Sequence, residues 1–143
     1  MADADFDLER FVAAQDRDAA YDRAIGELRR GRKQGHWIWF VFPQVQGLGS
    51  SETARYYAIA SLDEATAYLD HPVLGPRLAE AAEALLGQPS RDPEAIMGGL
   101  DAMKLRSSMT LFARVGRAAP VFRRVIDEFY GGASDAATEQ RLP

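Results

Sequence analysis

Apolar residues recur every three or four positions along most of this chain, and proline or glycine interrupts the pattern at helix-sized intervals. Leu105, Met109 and Phe112 show this spacing in one segment, and the residues after Pro120 repeat it. Such a period matches the α-helix, whose turn takes about 3.6 residues, whereas half-buried strands alternate every two. The sequence therefore predicts an all-α protein, a compact single-domain multihelical fold of about seven or eight short helices.

Capping residues mark where several of these helices begin and end. Ser61 and Glu64 form the pattern of a capping box, in which a serine and a glutamate three residues later satisfy the first free N–H groups of a helix. Ser50 or Ser51 is placed to cap the start of an earlier helix, which is expected to run through Tyr57. Gly31 follows two arginines and is expected to end the second helix of the chain.

The length and the residue types limit both the domain count and the chemistry. At 143 residues, the chain suits one helical domain spanning residues 1–143, with a core at about 6–132 and less ordered residues at the N-terminus and in the C-terminal tail. The absence of cysteine excludes disulfides, thiol catalysis and cysteine-based zinc sites. The two histidines lack an HExxH spacing, so we expect no metal and no cofactor.

Charge and hydropathy bear on the possible partners. The chain has 17 basic and 21 acidic residues, and its formal net charge of −4 repels nucleic acid, so we expect no duplex partner. The N-terminal residues are acidic and lack an apolar signal segment, and no stretch is long enough to span a membrane. We therefore expect a cytoplasmic protein without a membrane partner. The oligomeric state stays open.

Residues 35–44 concentrate both tryptophans, two phenylalanines and one of the two histidines. Their aromatic and branched side chains favour a buried strand by propensity. A strand must pair its backbone groups, however, and no second convincing strand is present in the sequence. The segment is therefore predicted to be a short buried helical turn, either at the centre of the core or in the wall of a pocket.

Cations and aromatic rings occur together at the start of this segment. Arg32 and Lys33 precede His36, Trp37 and Trp39, so cations for phosphate, rings for a base and a proton donor could meet in a nucleotide site. The structural alternative is that the indoles are core anchors, the histidine bonds a backbone carbonyl and the two cations only end a helix. Gln44 closes the segment and is a further ligand candidate.

A polar stripe follows residue 100. Asp101, Lys104 and Ser108 share a helix face, with Ser107 beside them, away from the apolar stripe, and Arg106 is a further cation of the same segment. Hydroxyls next to cations suit contact with phosphate. They suit a close helix crossing or a solvated face equally well, and the spacing does not distinguish these alternatives.

Several motifs in order carry a resemblance to a known family. They are residues 36–44 (HWIWFVFPQ), 47–49 (GLG), 69–75 (LDHPVLG) and 104–112 (KLRSSMTLF). Together they resemble the bacterial domain-of-unknown-function family whose members are often labelled calpastatin. The resemblance implies a compact, mainly helical domain with no established activity. The calpastatin label does not fit, because that inhibitor is long, disordered and poor in aromatic residues.

A shorter pattern is similar to the NADAR domains, helical enzymes that act on N-glycosidic bonds of ADP-ribose-type nucleotides. It consists of Glu52 ahead of Tyr56 and Tyr57, followed by residues 71–74 (HPVL). This similarity implies that Glu52 acts at the sugar, with Tyr56 beside it. From helix chemistry alone, Glu52 is a first-turn glutamate that complements the helix dipole.

We therefore predict one pocket built by residues 36–44, 52–57 and 104–110. The predicted function is binding of a nucleotide or ADP-ribose-type small molecule, and hydrolysis of its N-glycosidic bond is the catalytic form of the same hypothesis. The alternative is a non-catalytic protein interaction module that has no small-molecule site. The sequence leaves open whether the protein is an enzyme.

Overall fold

The computed structural model describes residues 6–115 and 120–142. These residues form ten α-helical segments, with one turn of 3-10 helix between the first two. In chain order the segments are α1 (Glu9–Asp16), α2 (Ala20–Arg30), α3 (Ile38–Val41), α4 (Glu52–Tyr56), α5 (Leu62–Asp70), α6 (Leu74–Leu86), α7 (Pro93–Met97), α8 (Gly99–Ala113), α9 (Pro120–Phe129) and α10 (Ala136–Gln140).

The all-α prediction is confirmed. The segments outnumber the seven or eight expected because α3, α4, α7 and α10 have only four or five residues each. Within the described residues, extended pairing is limited to a single parallel bridge between Val45 and Ile59. The aromatic segment forms the helical turn α3, which satisfies its backbone groups locally where no neighbouring strand could pair with them. No described helix is long and apolar enough to cross a bilayer.

The helix ends follow the capping residues. Ser51 begins α4, and its hydroxyl accepts a hydrogen bond from the Ala54 N–H at 3.1 Å. Ser61 begins α5 and accepts from the Glu64 N–H at 3.1 Å. Glu64 reaches back to the N–H of Ala60 at 2.7 Å, one residue earlier than in a standard capping box.

Glu64 also forms a buried ion pair that fixes the segment between α4 and α5. Its carboxylate lies 3.0 Å from the Arg10 guanidinium, and the two side chains are 4% and 9% exposed. Arg10 further donates to the carbonyls of Tyr56 at 2.8 Å and Ala58 at 2.9 Å. The C-terminal end of α4 is thereby held against α1.

The long helix α8 lies at the centre of the packing. It contacts α5, α7, α9 and α10, while α6 packs against α2, α5 and α9. Thr138 and Leu142 are buried against the rest of the protein. The core therefore extends beyond the boundary near residue 132 expected from the sequence, because α10 closes over α8. Residues 1–5 and 143, where less order was predicted, lie outside the described part of the chain.

Candidate functional site

The turn α3 and the short helix α4 line an open cavity of about 450 Å³, which we call the aromatic groove. It brings together four predicted site residues from two separate segments: His36, Trp39, Glu52 and Tyr56. The full lining is His36, Trp39, Phe40, Glu52, Thr53, Tyr56 and Tyr57.

The aromatic rings of the groove support one another. Tyr57 packs edge-to-face against Tyr56 with centroids 4.8 Å apart, and it contacts Phe40 at 5.6 Å and Phe11 at 5.8 Å. Burial raises the pKa of the Tyr57 hydroxyl above its ordinary value. Tyr56 packs against this cluster of rings, and 56% of its surface is exposed. The groove therefore presents an aromatic ring whose position is held by a packed neighbour.

Glu52 opens α4 at the edge of the groove and is exposed. Among residues 6–115 and 120–142, its carboxylate has no hydrogen-bond or ion-pair partner. Its position in the first helical turn suits the dipole of α4, as helix chemistry predicts. The same position leaves a carboxylate free to meet a ligand in the groove.

Lys104 connects the aromatic groove to a second cavity. Its ammonium lies 4.9 Å from the centroid of the Trp39 ring and 3.7 Å from the Asp101 carboxylate. Lys104 also borders, with Gln44 and Ser107, a cavity of about 280 Å³ that we call the α8 cavity. Its lining is Gln44, Leu48, Gly49, Leu100, Met103, Lys104, Ser107, Asp135 and Ala137.

Other residues of the polar stripe hold the scaffold together. The Ser107 hydroxyl donates to Asp135 at 3.0 Å, and Asp135 caps α10 through the N–H of Thr138. Arg106 donates to the Ala133 carbonyl at 2.8 Å, which directs it away from both cavities. Ser108 is fully buried, and its hydroxyl has no partner among the described residues. The Arg106 side chain is thus engaged by the backbone and Ser108 is enclosed by helix packing, and their ligand contacts stay predictions.

Lys33 and Trp37, which are also predicted ligand residues, lie in the interior. Trp37 is 4% exposed. The Lys33 side chain is 6% exposed, and its ammonium lies 2.6 Å from Asp101 and 4.8 Å from the Trp37 ring centroid. Both are therefore committed to the core beneath the groove. Arg32 is exposed and borders neither the aromatic groove nor the α8 cavity.

Glu27 is a site residue that the sequence analysis missed. Its Oε1 accepts hydrogen bonds from the Gln34 N–H at 2.7 Å, the Gly35 N–H at 2.9 Å and the Trp37 indole at 2.8 Å. Burial opposes the charged form, but these donors and the Lys33 ammonium outweigh it and hold the pKa of this carboxyl below its ordinary value. The available signal was an acidic residue between Ala24 and Leu28 on the apolar face of α2.

Glu27 anchors the start of the aromatic segment beside the groove. It lines a cavity of about 370 Å³ that shares His36 and Phe40 with the aromatic groove. Within the described ranges, no cluster of three histidine, aspartate or glutamate side chains could hold a metal ion. The aromatic groove itself therefore offers aromatic rings, the carboxylate of Glu52 and the imidazole of His36, with the Lys104 ammonium next to Trp39.

Comparisons with known proteins identify a family. The family described as "Protein of unknown function (DUF1810)" matches residues 5–142. The chain belongs to this family. This DUF1810 member is similar to the crystal structure of the conserved hypothetical protein Rv1873 from Mycobacterium tuberculosis, with 50% identity, a TM-score of 0.92 and 96% of each chain covered. The comparison with curated proteins gives no match.

The resemblance to a family of unknown function is thereby confirmed for this DUF1810 protein. The similar crystal structure agrees with the helical architecture described above. A shared family and fold do not establish a ligand or a reaction. Nucleotide binding and the similarity to NADAR domains therefore stay predictions.

Proposed function

We propose that this DUF1810 protein binds a nucleotide-type small molecule in the aromatic groove. One observation carries the proposal: residues from 36–40 and from 52–57 meet around one open cavity with aromatic walls and a free carboxylate. Small-molecule sites are typically concave and largely apolar, with a few polar groups that orient the ligand. The groove has this composition.

The exposed ring of Tyr56 is the contact proposed for the base. An aromatic side chain exposed at a cavity offers a flat face, and stacking of a base on such a ring contributes about 1–3 kcal/mol. The edge-to-face contact with Tyr57 limits the freedom of the Tyr56 ring before a ligand arrives. Trp39 lines the same groove and offers a second ring.

Lys104 is the contact proposed for phosphate. Its ammonium lies over Trp39, at the boundary between the groove and the α8 cavity. The 3.7 Å separation from Asp101 is longer than a close ion pair, so a phosphate oxygen can compete for this cation. A ligand with its base near Tyr56 would then direct its phosphate toward Lys104.

The catalytic form of the proposal is hydrolysis of an N-glycosidic bond. Cleavage leaves a cation-like sugar, and the ionised carboxylate of Glu52 would stabilise that charge. The electron pair of the C–N bond departs with the base, and His36 in the same groove can supply the proton that the base takes up. Water adds to the anomeric carbon, and the proton that it loses passes to the Glu52 carboxylate.

A thermal-shift screen tests the binding proposal. ADP-ribose, AMP, ribose 5-phosphate and adenine are titrated against the wild type, Tyr56→Ala and the control Glu83→Ala, which removes an exposed side chain of α6 outside both cavities. Ligand at a hundred times its Kd should add about 2.7 kcal/mol to the free energy of unfolding. We expect Tyr56→Ala to lose this stabilisation and Glu83→Ala to keep it. No shift with any nucleotide, or equal shifts in both variants, would contradict the proposal.

A second candidate function is a protein interaction module. It is favoured by the exposure of Leu100 and Met103, which are 75% and 67% exposed at the start of α8. Exposed apolar side chains that cluster often mark an interaction surface. Under this alternative, Leu100→Ser with Met103→Ser abolishes a protein complex measured by sedimentation, while Tyr56→Ala leaves it intact.

A further inference from the structure

A cavity separate from the aromatic groove gathers two arginines. Arg55 and Arg141 line a cavity of about 540 Å³ with Gln46, Gly47, Gly49 and Ala58, which we call the arginine cavity. Arg55 belongs to the same helix as Glu52 and Tyr56 but borders a different cavity. Arg141 comes from the other end of the chain, directly after α10.

We propose that the arginine cavity binds a phosphate-type oxyanion. Within residues 6–115 and 120–142, its lining contains two guanidinium groups and no acidic side chain. Among the described residues, the guanidinium groups of Arg55 and Arg141 have no hydrogen-bond or ion-pair partner. Two like charges that converge without a carboxylate repel each other, and an anion between them removes that repulsion.

Several other arginines of this acidic protein pair with a carboxylate. Arg77 pairs with Asp16 at 2.9 Å, Arg91 with Glu128 at 3.0 Å and Arg124 with the same Glu128 at 3.0 Å. Acidic residues outnumber basic ones by 21 to 17, so carboxylate partners are not scarce. Arg55 and Arg141 lack such a partner among the described residues, as does the exposed Arg30, and they differ from Arg30 because they line one cavity together.

Gly47 shows that the cavity wall and Arg141 are fitted to each other. Its φ of +94° lies in the left-handed region, and a Cβ at this position would collide with the Arg141 guanidinium. The guanidinium therefore rests against a backbone that only glycine allows. Among the described residues, the N–H groups of Gly47 and Gly49 meet no acceptor, so they remain available as additional donors to an anion.

Both arginines project from backbone that is held in place. Arg141 lies between the buried residues Thr138 and Leu142, and its N–H bonds the Thr138 carbonyl at 3.0 Å. Arg55 is followed by Tyr56 and Ala58, whose carbonyls accept hydrogen bonds from Arg10. Guanidinium groups bind phosphate through paired N–H donors, so two of them on fixed supports match the tetrahedral oxygens of one phosphate group. This inference does not depend on the aromatic groove or on its ligand.

Calorimetric titration with inorganic phosphate at constant ionic strength tests this site. The variants are Arg55→Gln, Arg141→Gln and the double variant, and the control is Arg30→Gln, which changes an exposed arginine at the end of α2. We expect each single variant to weaken phosphate binding by about tenfold, the double variant to abolish it and the control to retain it. Urea unfolding midpoints verify that every variant is folded.

A second arm uses glycerol 2-phosphate in place of inorganic phosphate. Tighter binding of the ester identifies a phosphate carried by an organic molecule, whereas tighter binding of inorganic phosphate identifies the free ion, and both results support the site. Absence of phosphate binding by the wild type, or equal binding by the wild type and the double variant, would overturn the proposal.

Discussion

The indole N–H of Trp37 donates a 2.8 Å hydrogen bond to Oε1 of Glu27, and this contact fastens the aromatic segment to α2. The same oxygen accepts the N–H groups of Gln34 and Gly35, so one carboxylate organises the chain between α2 and α3. The wall of the aromatic groove begins at the next residues, because His36 and Trp39 flank this anchor. A residue outside the groove thereby determines its shape.

Replacing Glu27 should change how stability depends on acid. The pKa of Glu27 is below its ordinary value of 4.5 in the folded protein, so its contribution is complete above that pH and is lost as the pH falls through the lower folded value. In urea unfolding below pH 4.5, the free energy of unfolding should fall less steeply with decreasing pH for Glu27→Gln than for the wild type. Glu83→Gln, at an exposed position on α6, should retain the wild-type slope. Equal slopes for wild type and Glu27→Gln would refute this role.

The two tryptophans should differ in their contribution to stability. Trp37→Ala removes a buried indole and leaves Glu27 without one of its donors, at a cost of about 3–5 kcal/mol. Trp39→Ala should cost less, because Trp39 is only partly buried and lines the groove. Denaturant unfolding of both variants measures the difference. Similar small losses would show that neither indole anchors the core.

Arg10 and Glu64 should behave as a coupled buried pair. Arg10→Ala leaves the Glu64 carboxylate buried without its cation and should cost about 3–5 kcal/mol. The exposed pair of Arg123 with Asp127 is the control, and Arg123→Ala should cost less than about 1 kcal/mol. A double-mutant cycle in urea measures both couplings. Additive losses for Arg10→Ala and Glu64→Ala would argue against a specific interaction.

Glu52→Gln tests the catalytic form of the proposed function. The substitution preserves shape and removes the charge, so turnover of a ribose-linked substrate should fall about 10²–10⁴-fold while the ligand still binds. Glu94→Gln alters the corresponding first-turn position of α7 and should leave turnover unchanged. Chromatographic detection of the released base provides the assay. Equal turnover by wild type and Glu52→Gln would eliminate the role and leave dipole complementation as the function of this glutamate.

Lys104→Ala should separate phosphate binding from stability. Affinity for AMP should fall by about tenfold, the order expected for one charge-assisted hydrogen bond, while affinity for adenine is retained. The free energy of unfolding should change by only about 0.5 kcal/mol, because Lys104 lines the open α8 cavity and is not enclosed by the core. Calorimetry measures the affinity of both proteins for AMP and for adenine. An equal loss of affinity for adenine would show that Lys104 does not contact the phosphate.

Local sequence determined the helical architecture. The three-to-four spacing around Leu105, Met109 and Phe112 reports one helix face, and the serines at 51 and 61 report helix starts through contacts three residues away. The helical turn at Ile38–Val41 follows from the same kind of evidence, since no strand was available to pair with it. These features depend on residues that are near one another in the chain, which is why a sequence pattern reports them.

Tertiary packing decided which polar side chains reach solvent and which are held in the protein interior. Lys33 and Ser108 suited a ligand by residue type, but the first is paired with Asp101 in the interior and the second is enclosed by helix packing. The sharing of one cavity by Arg55 and Arg141 could not be read from the sequence either, because one lies in α4 and the other follows α10, far along the chain. Helix periodicity gives the face on which a side chain lies, whereas the rotation and crossing of packed helices depend on shape matching between distant residues.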